Sequence, residues 1–60
     1  MNLAKLEDLI SKDVELMVGG HFFTGRIVEA DAASDTIIFV EEDSSKCTID
    51  ASAVQLVKVA

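Results

Sequence analysis

Cys47 is the only cysteine and His21 the only histidine in a chain of 60 residues. An internal disulfide is therefore impossible, and one chain cannot supply the four ligands of a structural zinc site. A chain this short buries only about 60% of the surface its unfolded form exposes, so it needs some other stabilising device. Partner chains remain. The composition agrees: 50% of the residues are apolar, generous for so small an interior, and part of that surface is expected to lie between copies. The length allows one domain, residues 1–60.

The apolar period changes once along the chain. Leu3, Leu6, Leu9 and Ile10 share a helical face, with Lys5, Glu7, Asp8 and Lys12 on the other side, which predicts a helix over residues 2–12 with Asn2 as its N-cap. Such a short helix is marginal in water and must lay its leucines on something. After Asp13 the period is two. Val14, Leu16 and Val18 predict a first strand, and Gly19-Gly20 a hairpin turn. A long second strand follows from His21 to Asp31, with Gly25 marking a bulge or bend. Asp31 to Asp35 reads as a turn, and 36–42 as the third strand. The acidic run from Glu41 to Asp43 reads as a solvated loop tip. Residues 46–50 form the fourth strand, 51–53 one helical turn and 54–59 the fifth strand. That last strand is apolar at Val54, Leu56, Val57 and Val59, hence on both faces, which predicts burial against two neighbours. The expected fold is all-β, a five-stranded barrel with a short N-terminal helix.

Several function classes fit poorly. No nucleophile–base pairing is visible, and a domain of this size offers little cleft for paired carboxylates, so the chain is not expected to be an enzyme or to hold a cofactor. Cys47, in mid-strand, reads as a buried or interface thiol. The apolar runs fall far short of the ~20 residues of a membrane-spanning helix. A lone cysteine fits a reducing cytoplasm, the expected location. The net charge is −6, and the five basic residues are scattered among eleven acids, whereas phosphate binding needs clustered positive charge. Arg26 and Lys46 are the best candidates for any local cationic patch. Phe22 and Phe23 are adjacent on a strand and point to opposite faces, so one of them is a candidate exposed ring able to stack on a base.

The order helix, five strands, a bend in the second and a tiny turn before the fifth resembles the Sm-like family of SH3-like barrels. Gly20 sits at its turn. Gly25-Arg26-Ile27-Val28-Glu29-Ala30-Asp31 follows the family's G-x-apolar-x-x-apolar-D pattern, and Thr36-Ile37-Ile38 continues as the third strand. Ile49-Asp50-Ala51-Ser52-Ala53-Val54 occupies the frame of the second motif. The resemblance implies a cyclic homo-oligomer of five to seven copies in which the fourth strand of one copy pairs with the fifth of the next. That would place Cys47, Ile49, Val54, Leu56 and Val57 at the interface.

It also implies RNA or other single-stranded nucleic acid as a partner. The family's stacking, amide and arginine positions fall on Ala33, Asp35 and Asp50. Alanine has no ring to stack, Asp35 lacks the amide donor, and Asp50 reverses the charge. RNA binding is therefore expected through a non-standard surface and without uridine preference. The alternative is an oligomeric scaffold or protein-interaction ring without nucleic acid. Asp31, Asp35 and Asp50 converging on a pore would also suggest a divalent-cation site, a reading ranked below the absence of any metal.

Overall fold

The computed structural model describes residues 1–60, and its first turn is set by Asn2. The Asn2 side chain accepts a hydrogen bond from the Ala4 N–H at 2.8 Å, satisfying one of the donors that a helix start leaves free. The α-helix α1 then runs only over Leu3–Glu7, shorter than the expected 2–12. The chain beyond it tightens into i→i+3 turns, Leu9 N–H to Leu6 C=O at 3.1 Å and Ile10 N–H to Glu7 C=O at 3.2 Å. Ser11, at φ 72°, ends these turns with its N–H on the Ile27 carbonyl at 2.9 Å. The tertiary bond wins over propagation of a helix too short to stand alone. The leucines still do what the period required: Leu6 is fully buried, with Leu3, Leu9 and Ile10 packed around the same core.

Five strands follow: β1 (Asp13–Val18), β2 (His21–Asp31), β3 (Thr36–Glu41), β4 (Lys46–Asp50) and β5 (Val54–Val59). All four strand pairings are antiparallel, and the sheet order is β4-β3-β2-β1-β5. The fold is all-β with one short helix. Each turn has its local cause. Gly19 and Gly20 sit at φ 58° and 79°, the left-handed pair that a two-residue hairpin between right-twisted strands requires. The Asp31 carboxylate accepts from the Ala33 N–H, and Asp43 from the Ser45 N–H, both at 2.9 Å, so each of the next two turns opens on an aspartate bonding two residues ahead.

Alternation divides the sheet into two faces. Val14, Leu16, Ile27, Ile37 and Phe39 are fully buried on the inner face, closed off by Leu6, Ala51 and Val54. Two bulges bend the sheet. Ile27 pairs with Phe39 but Glu29 with Ile38, which leaves Val28 as the extra residue of β2. Met17 pairs with Leu56 but Val18 with Val54, which leaves Gln55 as the extra residue of β5. Its side chain accepts from the Gly20 N–H at 2.8 Å, tying the first hairpin to the last strand. The register irregularity in β2 thus falls at Val28, three residues beyond the glycine expected to mark it. Gly25 serves a close approach of β3 instead, because a side chain there would run into the Val40 carbonyl.

The sheet is not closed by hydrogen bonds, as a complete barrel would be, since β4 and β5 are its two edges. Yet only the 3-10 turn Ala51–Ala53 joins them. Four residue steps reach about 14 Å at most, while the edges of a flat five-stranded sheet lie roughly 19 Å apart. The short connection therefore demands a strongly curled sheet, and bulges supply curl. No helix is long and apolar enough to cross a membrane.

Candidate functional site

Two places gather the residues singled out by sequence: a corner where two turns meet, and the outer face beside the two edges. At the corner, the Ala51 N–H donates to the Asp35 carbonyl at 2.9 Å, and Thr36 pairs with Asp50 across β3 and β4. Asp35 and Asp50 thus belong to one small surface, with Ala33 exposed on the same turn. Asp35 holds φ 56°, a left-handed conformation that aspartate and asparagine tolerate better than most residues. The Asp50 side chain makes no capping bond to the 3-10 turn. The corner offers carboxylates and a methyl group but no ring and no cationic side chain; the Met1 ammonium donates to the adjoining Ala51 carbonyl at 2.7 Å and to that of Val54 at 3.0 Å. Nowhere do three His, Cys, Asp or Glu side chains come together as ligands of one ion.

The two candidate cations occupy another part of the molecule. Asp13 pairs with Arg26, Arg26 with Val40 and Val40 with Lys46. The four form one row across the outer face of β1, β2, β3 and β4. Arg26 and Lys46 are separated there by two strand spacings, roughly 10 Å. Arg26 is already engaged: its Nε donates to Asp13 Oδ1 at 2.7 Å, which also raises the guanidinium's pKa above its ordinary value. Both partners are exposed, so the pair adds little stability. Lys46 is exposed and has no ion-pair partner.

The candidate interface residues divide by face. Cys47 and Ile49 on β4, and Val57 on β5, are half-buried at the margins of the core. Cys47 Sγ donates to the Phe39 carbonyl at 3.7 Å; burial pushes its thiol pKa up, and the charge of Glu41 adds to that. Val54 is almost fully buried in the chain's own core. Leu56 pairs with Met17 on the outer face, whereas Val57 pairs with Leu16 on the inner one.

The outer face carries features that sequence reasoning did not assemble. Phe22 and Leu56 both pair with Met17, giving an apolar row across β2, β1 and β5 in which Phe22 is 51% and Leu56 40% exposed. The exposed ring of the Phe22–Phe23 pair is thus Phe22, while Phe23 packs on the core. A depression bounded by Asp13, Arg26, Val28, Val40, Glu41 and Glu42 lies beside the β2 bulge. Its signal, a valine displaced by a bulge, depends on strand register and has no local sequence mark. No family model matches the chain, and no curated protein matches it either.

Proposed function

We propose that this chain is a subunit of an Sm-like ring that assembles by pairing β4 of one copy with β5 of the next and serves as a scaffold for other macromolecules. The observation that carries the reading is the pair of open edges. Strand β4 has a partner only in β3, and β5 only in β1. Both edges bring apolar residues on the core side, Cys47 and Ile49 from β4, Val57 and the 59%-exposed Val59 from β5. Such edges invite further strands. Head-to-tail pairing of two unlike edges closes into a ring when the rotation permits. Sedimentation velocity at micromolar concentration tests this. The expected mass is several times 6.4 kDa, and a stable monomer would sink the ring.

RNA binding by the same ring is the second reading. It is favoured by the meeting of the Ala33–Asp35 turn with Asp50, the two segments that the resemblance assigns to a base pocket, and by the unpaired Lys46. It comes second because every copy adds a charge of −6 and Arg26 is engaged with Asp13. Long-range attraction of a polyanion is then unfavourable. Fluorescence anisotropy with short U and A oligomers at rising salt separates the readings, since real phosphate contact weakens as salt rises. Weak, unselective binding at low salt is the expected result, and tight uridine-selective binding would reverse the order of the two readings.

A further inference from the structure

We propose that the depression beside the β2 bulge docks a lysine or arginine side chain from a basic segment of a partner protein. The bulge turns Val28 outward, where it is 45% exposed, next to the half-buried Val40. These two form an apolar floor. The rim is charged: Asp13, Glu41 and Glu42 against Arg26 alone. Arg26 and Asp13 satisfy one another at 2.7 Å, and neither glutamate has an ion-pair partner. The site is therefore a greasy hollow with a net negative rim, in a chain that is itself acidic. A long aliphatic stem ending in a cation matches both features. The methylenes of lysine or arginine cover apolar surface while the charged head stays at the margin, here lined by Asp13, Glu41 and Glu42.

Size points the same way. The volume of about 270 Å³ leaves room for one or two side chains. The chain's own cations do not fill it. Arg26 is a wall held by Asp13, and Lys46, one strand beyond Val40, does not line it. A second copy is a poor occupant, because each of its scattered cations arrives within a chain of net charge −6 that the acidic rim repels. The fitting partner is a different protein with an extended basic stretch, and charge opposes an RNA at this position. The hollow is contained in one chain, so the inference stands apart from ring assembly.

Anisotropy of a fluorescein-labelled peptide of alternating arginine and glycine, titrated with the whole protein at low salt, tests the inference. Binding is expected, with a Glu–Gly peptide of the same length giving none. Replacing both Glu41 and Glu42 with Gln is expected to weaken binding about tenfold, the scale of two partly exposed ion pairs. Asp31→Asn with Asp35→Asn makes the same charge change at the far corner and should leave affinity within about twofold, since neither residue lines the hollow. Val28→Ser should also weaken binding, which a purely electrostatic attraction would not show. Circular dichroism confirms folding, and the single exposed variant Glu42→Lys keeps the test if the double variant unfolds. Equal losses in the two charge-matched double variants would overturn the site, as would no binding at low salt. Direct binding of a labelled RNA oligomer that Val28→Ser abolishes would overturn it too.

Discussion

Residue 25 can carry no side chain because Val40 occupies the space: a Cβ there would collide with the Val40 carbonyl oxygen and come within 2.9 Å of the Glu41 Cα. Both obstacles are backbone, so no rotamer relieves them. Gly25→Ala must push β3 away from β2 above the core, beside Ile27 and Phe39. Overpacking of this kind costs about 1–3 kcal/mol and sometimes more, against a net stability of about 3–9 kcal/mol for 60 residues. Gly19 has open space around it and only its φ of 58° to defend, a cost of about 1–2 kcal/mol for alanine. Urea denaturation should rank Gly25→Ala well below Gly19→Ala in stability. Equal losses would show that β3 gives way for no more than the cost of a left-handed alanine.

The same two glycine positions show how far the sequence could be read. Gly19-Gly20 is a local signal, and its turn and both flanking strands fall where the pattern puts them. Gly25 was legible as a special position, but not for its reason, because the reason is a carbonyl fifteen residues away. The strand ends were legible since alternation stops at turn residues. The helix end was not, because after Glu7 the chain tightens toward a bond from Ser11 to Ile27 that no local pattern encodes. The corner of Ala33, Asp35 and Asp50 was reachable through a family frame. The hollow at Val28 was not, since it needs the one-residue slip of register between β2 and β3. Lys46 and Arg26 look unrelated in sequence and prove to be two strands apart in one row, with Arg26 paired to an acid thirteen residues earlier.

Val59→Lys should separate assembly from folding. Val59 is 59% exposed in the single chain, so a lysine there costs the protomer little. In the proposed ring the residue lies at the seam, on the core side, where an unpaired charge is expensive to bury. Sedimentation should show a shift to smaller species while circular dichroism is retained. Val57→Lys strikes the half-buried neighbour of Leu16 and should lower stability as well. Normal assembly of Val59→Lys would place the interface elsewhere.

The thiol of Cys47 should react slowly. Burial and the nearby charge of Glu41 both raise its pKa, so little thiolate exists at neutral pH. Reaction with an aromatic disulfide reagent should be slower than that of the urea-unfolded chain at pH 8, with its inflection above the ordinary thiol range. The stability consequence has a definite sign. At lower pH the thiol is protonated in both states and contributes no pH dependence. Above the ordinary thiol value the unfolded chain ionises first, and stability falls as pH climbs through the folded value. Cys47→Ser should lack that alkaline decline, and a native thiol as fast as the unfolded one would contradict the burial.

Asp50→Arg combined with Asp35→Asn should give the corner an affinity for uridine-rich RNA. Neither change removes a side-chain bond: Asp50 makes no cap, and asparagine accepts the φ of 56° at position 35. The pair supplies an arginine and an amide donor at the positions where the resemblance puts them. Each charge-assisted or amide contact contributes about 1 kcal/mol, so the gain should be about ten- to thirtyfold. The charge per chain also moves from −6 to −3 (one unit from Asn, two from Arg), which alone favours any polyanion. Glu7→Gln with Asp8→Lys makes the same three-unit change at the exposed C-terminal end of α1, outside the two turns that form the corner. It should raise U and A affinities equally and only slightly. The corner variant should raise U more than A in anisotropy titrations, because an amide reads a base edge and net charge does not. If both variants gain alike, the two turns meet without forming a base pocket, and the Sm-like frame does not extend to recognition.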